Sequence, residues 1–255
     1  MACVDIDHCY KHALRTVKDA GKLVYKATKK EKAVHEKDLV DVVTETDRQV
    51  EVFIIESLRS KFPSHMFIGE ESTAEEKQCE LTDRPTWIID PIDGTMNFVE
   101  IGLVYNPLLD KMYAAKRGYG AFCNGTRLQV SKIRDLTKAM VLAEVGSPGH
   151  FPQQNSVMKN LNSVSLNVQC LRCMGSSALG ICMIAAGEAE AYFEFPVYCW
   201  DIAAANLIAE EAGALVRNME GGHFDLMSTR ILCANSQKII DCMVDLLAAD
   251  DNISR

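Results

Sequence analysis

No run in these 255 residues is both long and apolar enough to span a bilayer. The opening residues, MACVDIDHCYKHALR, carry charge early and contain no apolar core segment, so they do not read as a secretory leader. A membrane is therefore not an expected partner. Positive charge is also short. Lys and Arg number 27 against 35 Asp and Glu, for a formal net charge of -8. Nucleic-acid binders usually present a basic face, so no nucleic-acid partner is expected either. A small anion can still bind where metal ions or helix N-termini supply local positive potential. The ten cysteines are scattered, and Cys170-x-x-Cys173 is the only close pair. No second pair stands at zinc-site spacing, which points to free thiols in a reducing cytosol and a cytoplasmic protein. Internal repeats and flexible linkers are missing too, so a single domain over 1–255 is expected.

What is present is an ordinary apolar fraction, 48%, in a chain long enough to bury a sizeable core. Asp5 and Asp7 are candidate caps for a first helix whose apolar residues are Cys9, Ala13, Val17, Ala20 and Val24. Lys29 to Lys37 reads as a solvated loop or hairpin. A second helix begins near Thr46-Asp47, shows the stripe Val50, Ile54, Leu58, and stops before Pro63. Met66 to Gly69 reads as a short buried strand ending in Glu70-Glu71, and Trp87 to Ile89 as another ending in Asp90-Pro91. Lys111 to Val130 holds further strand-like pieces. Gly175-Ser176-Ser177 opens a helix through Ala186, and Ala191 to Phe195 alternates like a strand. Asp201 to Ala212 is a helix closed by Gly213. Ile231 to Ala234 reads as a strand and Ile239 to Ala248 as a last helix. Strands and helices in mixed order predict layered α and β.

Chemistry concentrates in Asp90-Pro91-Ile92-Asp93-Gly94-Thr95. Two aspartates three residues apart at the end of a buried strand need compensating charge, because buried carboxylates are paired or bind metals. Gly94 permits close approach of a ligand. Thr95 can cap a following helix whose free N–H groups suit a phosphate. Hard oxygen ligands favour Mg²⁺ over zinc. The plainer alternative is an Asx-turn with a capped helix. Glu70-Glu71, Glu194 and Asp201 supply further carboxylates, although Asp201 taken alone is equally an N-cap and Glu194 a solvated rim residue.

Several segments together resemble the inositol monophosphatase family of Mg²⁺-dependent, lithium-sensitive phosphatases. They are GEES at 69–72, WIIDPIDGTMNFV at 87–99 and WDIAAANLIAEEAGA at 200–214, supported by DLVDVVTETD at 38–47, GAFCNG at 120–125 and GGHFDL at 221–226. Three separated signatures in order are highly specific. The resemblance implies an αβαβα sandwich, with the metal motif in residues 1–135 and substrate contacts in 136–255. It implies two to three Mg²⁺ ions. Glu70, Asp90 and the Ile92 carbonyl would hold the first, and Asp90, Asp93 and Asp201 the second. Gly94 and Thr95 N–H groups would bind phosphate, and Asp47 would hydrogen-bond Thr95. Gly175, Ser176, Ser177 and Glu194 would contact inositol hydroxyls, with Asp201 at the ester oxygen. Glu70 and Thr95 would orient a metal-activated water for in-line attack. The implied activity is hydrolysis of myo-inositol monophosphates by a homodimer.

The sequence departs from this pattern chiefly after Val99. Asn97-Phe98-Val99 runs directly into Glu100-Ile101-Gly102, where the family pattern continues with another strand and its hairpin. Roughly 15–20 residues are missing by ordinary strand and turn lengths. The first sheet is therefore expected to lack an interior strand, and the helix starting at Thr95 to be pulled by the shorter path to Glu100. Met96 stands where small polar residues are frequent, and Asn106-Pro107 is unusual for a continuing strand. Two other readings stay open: a non-catalytic isoform that pairs with an intact subunit, and a phosphatase of another small sugar phosphate.

Overall fold

The computed structural model describes residues 4–28, 45–76, 81–91, 95–98, 100–145 and 154–247. Helix α1, Ile6–Thr28, buries Cys9, Ala13, Thr16, Val17, Ala20 and Gly21, the spacing of one helical stripe. Asp5 caps it, its carboxylate accepting the His8 N–H at 3.0 Å. Helix α2, Glu45–Lys61, buries Val50, Glu51, Ile54 and Leu58. The lysine-rich segment 29–37 lies outside the described residues.

Seven strands form the first sheet in sequence order. They are β1 Met66–Gly69, β2 Thr86–Asp90, β3 Thr95–Phe98, β4 Ile101–Asn106, β5 Lys111–Lys116, β6 Gly120–Cys123 and β7 Thr126–Arg127. β1 and β2 are parallel, joined through the short helix α3, Glu70–Glu76, and every later pair is antiparallel. The second sheet draws on β8 Met140–Ala143, β9 Cys170–Arg172, β10 Ala191–Glu194, β11 Leu215–Arg217 and β12 Ile231–Ala234, in the order β11-β12-β10-β8-β9. The remaining helices are α4 Gln154–Ser165, α5 Ser177–Ala185, α6 Cys199–Glu211 and α7 Gln237–Leu246.

Strand alternation sorts these elements into five layers. Trp87, Ile89, Ile101, Leu103, Met112 and Ala114 face α1 and α2 on the outside of the first sheet. Val104, Tyr113, Ala115 and Ala121 face inward onto α5 and α6, which also receive Leu142, Tyr192, Ile231 and Cys233 from the second sheet. The opposite face of that sheet, with Val141, Ala143, Phe193 and Leu232, is covered by α4 and α7. Helix α6 reaches the first sheet closely because Gly102 has no side chain. A Cβ there would lie 2.5 Å from the Ala204 carbonyl oxygen.

Two expectations are corrected. Thr95 does not begin a helix: Thr95–Phe98 is a strand. It occupies the interior of the first sheet, pairing Asp90 with Thr95 and Ile88 with Asn97 on one side and Thr95 with Val104 through Phe98 with Ile101 on the other. Among the described residues the sheet therefore runs from β1 to β7 without a gap. Only residues 99 and 100 separate β3 from β4, and so short a connection between adjacent segments makes an antiparallel hairpin. Inserting these four residues also satisfies ladder groups of β2 and β4 that an open gap would leave unpaired. Secondly, Pro107 does not interrupt a strand. β4 ends at Asn106, whose side chain accepts the N–H groups of Leu108 and Leu109 at 3.1 Å each and closes a turn.

Candidate active site

The site is built where parallel strands end. β1 and β2 run in parallel and stop at Gly69 and Asp90. Ile68 and Ile88 face the N-terminal turns of α6, packing with Cys199 and Ala203. The two-residue period then turns Glu70 and Asp90 to the same side. In the second sheet β8 and β10 are also parallel, and they lead into Glu144 and end at Glu194. Tyr192 faces the central helices, and Glu194 shares its side of the strand. Asp201, in the first turn of α6, stands between the two groups. Its carboxylate accepts the Tyr198 N–H at 2.7 Å. Asp201 is thus inside the helix, bonding back to the capping position, rather than being the N-cap itself.

Crowding of negative charge dominates the electrostatics. Glu70 is pushed up to about 7, first by burial, then by the nearby carboxylates of Asp201, Glu71 and Asp47, while a hydrogen bond with Asp90 opposes the rise. Asp90 is only 3% exposed. Glu194 is also pushed up to about 7, chiefly by burial, with Asp201 and Glu144 adding to it. Hydrogen bonds from Ser177 Oγ, at 2.7 Å, and from the Tyr192 hydroxyl work the other way. A group of acidic side chains that raises its own proton affinity is one that a divalent cation would relieve. The donor set, all carboxylate oxygen, fits Mg²⁺. Among the described residues no three such side chains already converge to ligand geometry.

The sequence-predicted residues divide accordingly. Glu70, Asp90, Asp201 and Asp47 form one electrostatically linked cluster. Ser177 and Glu194 are hydrogen-bonded, and Asp201 links them to that cluster. Ser176 caps α5 by accepting the Leu179 N–H at 3.1 Å, and Gly175 precedes it with φ +77°. Ile92, Asp93 and Gly94 lie outside the described residues. Thr95 is placed by its backbone alone, as the first residue of β3, and not at a helix N-terminus.

Three contributors escaped the sequence reading. Glu51, 3% exposed, caps α3 by accepting the N–H groups of Glu71 at 2.8 Å and Ser72 at 3.0 Å. It holds the turn that carries Glu70, and Gly69 makes room, since a Cβ there would sit 2.5 Å from the Glu51 carboxyl carbon. The available signal was its position three residues before Ile54 and seven before Leu58, on the buried stripe. Tyr192 stands two residues before Glu194 on the same strand face. Glu144 follows the buried strand Met140–Ala143, the same sign that marked Glu70 and Asp90.

A five-layer α+β sandwich with an acidic centre at the carboxyl ends of parallel strands is the class that this fold and site define. The same fold is seen in the solved structure of inositol monophosphatase from Anabaena (Nostoc) sp. PCC 7120, with TM-score 0.81, 23% identity and 96% of each chain covered. The sequence is 42% identical to human inositol monophosphatase 1 over 249 residues, covering 90% of each chain. It is 42% identical to mouse inositol monophosphatase 2 over 254 residues, covering 91% of this chain and 87% of that one. The model of the Inositol monophosphatase family fits residues 5–101 and 99–249. This chain belongs to the inositol monophosphatase family. The two fitted segments meet at 99–101, where the sequence departs from the family pattern.

Proposed function

We propose that this chain hydrolyses myo-inositol monophosphates to inositol and phosphate, as a Mg²⁺-dependent phosphoric monoester hydrolase. The observation that supports the reading is the electrostatic coupling of Glu70 with Asp90 and Asp201, which come from the ends of two parallel strands and the first turn of α6. Two to three Mg²⁺ ions are assigned to Glu70, Asp90, Asp93, Asp201 and the Ile92 carbonyl. Bound there, Mg²⁺ would supply positive charge for the phosphate and lower the pKa of an attacking water. Glu70 and Thr95 orient that water, and Asp47 steadies Thr95. Gly94 and Thr95 N–H groups contact the phosphate, while Gly175, Ser176, Ser177 and Glu194 receive the inositol hydroxyls. Asp201 lies at the ester oxygen. Glu194, held by Ser177 and Tyr192, is a built acceptor for a polyol and favours an inositol ester over other sugar phosphates.

The reading carries three further expectations. The halves 1–135 and 136–255 act as one domain, the protein assembles as a homodimer, and it works in the cytoplasm. Among the described residues no helix is long and apolar enough to cross a membrane. The decisive test is Mg²⁺-dependent phosphate release from myo-inositol 1-phosphate by this chain, beside its Asp90→Asn variant. Release by the parent chain and none by the variant is the expected result; equal rates from both would refute it.

The displaced strand favours a second reading at one point. In an interior strand, N–H groups are committed to the ladder on both sides. With Thr95 in register with Asp90 and Val104, the ladder competes with a phosphate for its backbone. A chain in which β3 persists would keep its acidic cluster and bind Mg²⁺, yet hold phosphate poorly. It could then serve as a non-catalytic subunit beside an intact one. Mixing the two chains and measuring mixed dimers and activity separates these readings.

A further inference from the structure

Glu144 is absent from the ligand and substrate set proposed above, yet it is tied to that set on two sides. It follows β8, whose residues Val141 and Leu142 alternate between the outer and central cores, so that the period turns Glu144 toward the centre. One of its carboxylate oxygens, Oε1, accepts both the Met174 N–H at 2.9 Å and the Gly175 N–H at 3.0 Å. Those amides begin the turn that leads through Gly175, at φ +77°, to Ser176 and Ser177. Ser176 then caps α5 and Ser177 donates to Glu194. β9 ends at Arg172 and α5 begins at Ser177. Across that connection the two bonds to Glu144 tie the turn to the end of β8, the Ser177–Glu194 bond ties it to β10, and the Ser176 cap joins it to α5.

We infer that Glu144 is a positioning residue that sets specificity for the polyol part of the substrate, by anchoring the Met174–Ser177 turn against β8. A single anionic oxygen that accepts two successive backbone N–H groups fixes both the height and the tilt of that turn. Ser177 and Glu194 then present their oxygens at a constant separation. Loss of the anchor frees the turn without touching the Glu70–Asp90–Asp201 cluster. The effect therefore falls on esters whose alcohol carries several hydroxyls and spares esters whose alcohol carries none. This inference rests on the assignment of Gly175, Ser176, Ser177 and Glu194 to the alcohol side of the site.

The test compares the parent chain with Glu144→Ala and Glu144→Gln, using myo-inositol 1-phosphate and p-nitrophenyl phosphate as substrates with Mg²⁺. Amide hydrogen exchange of the Met174–Ser177 segment is followed in parallel. Glu144→Ala should raise KM for the inositol ester by about tenfold, with kcat little changed and the aryl ester unaffected. It should also speed exchange in that segment. Glu144→Gln, whose amide oxygen can accept the same two N–H groups, should restore most of the KM. Equal losses on both esters, or unchanged exchange in Glu144→Ala, overturn the inference. Failure of the Gln variant to rescue KM overturns it as well, because charge and not the double anchor would then be the cause. If the parent chain releases phosphate from neither ester, the proposed activity fails separately, and the exchange measurement still decides whether Glu144 holds the turn.

Discussion

The two sheets bring carboxylates to the centre by the same device and finish the job differently. In the second sheet the wall is complete. Glu194 receives hydrogen bonds from Ser177 and Tyr192, Ser176 caps α5, and Glu144 holds the preceding turn. In the first sheet Glu70 and Asp90 are equally well placed, Glu70 through the Glu51 cap and Asp90 at the end of β2. The segment Thr95–Phe98, which the sequence pattern reads as a helix start, is instead a strand of the sheet, β3. Carboxylates at strand ends keep their places under a shortened connection, because the strands are fixed by their own ladders. A segment whose backbone N–H groups are free is the one that an unpaired sheet neighbour can recruit.

The sharpest way to break this comparison is at the shared ligand. Asp90→Asn should lower Mg²⁺-dependent phosphate release by about 10³-fold or more while leaving the fold in place. A variant with near-parent turnover and unchanged metal dependence would show that the cluster is not the catalytic centre.

Restoring the missing stretch after Val99, roughly 15–20 residues by ordinary strand and turn lengths, comes next in size. The added strand should displace Thr95–Phe98 from the sheet and free its backbone N–H groups from the ladder. Phosphate release should rise by about 10²-fold, the usual consequence of correcting a misplaced site group. The transition in a thermal melt should also move up. Equal activity with and without the insertion would mean that β3 costs the site nothing.

On the metal side, Glu51→Ala removes the buried cap of α3. A loss of about 1–3 kcal/mol is expected in urea unfolding, with weaker stabilisation by Mg²⁺. A stability change without any effect on Mg²⁺ dependence would confine Glu51 to the fold.

The pH dependence distinguishes the two sides in one experiment. Glu70 and Glu194 both titrate near 7 in the folded chain, against 4.5 for an ordinary Glu. The folded form therefore holds extra protons between these values. The associated stability is fully present below pH 4.5 and is lost as pH rises through about 7. Saturating Mg²⁺ should remove the part due to Glu70 and leave the part due to Glu194, as read from urea midpoints across that range. A slope untouched by Mg²⁺ would place the ion away from Glu70. The smallest effect belongs to Tyr192→Phe, which removes one donor to Glu194 and should cost about 1 kcal/mol by the same assay.

Much of this was readable along the chain. Buried stripes such as Val50, Ile54 and Leu58, and short apolar strands ending in carboxylates, announced both the layering and the acidic cluster. Glu51 is not legible because an acidic residue on a buried stripe looks like a solvated one until its backbone partners are known. Glu144 is hard to read because the run before it is short, although the strand-end sign is there. The residues around Thr95 carry a helix-starting signature, and local signals say nothing about an empty place in a sheet.

By itself, then, the sequence determined the family and the layers and pointed to Glu70, Asp90 and Asp201, since each depends on side-chain periodicity or on residues at strand ends and helix starts. Tertiary structure alone decided the fate of Thr95–Phe98. Four residues with a two-residue connection to β4 can form a helical turn or a strand on local terms. The open ladder groups of β2 and β4 on either side make the strand the lower-energy choice.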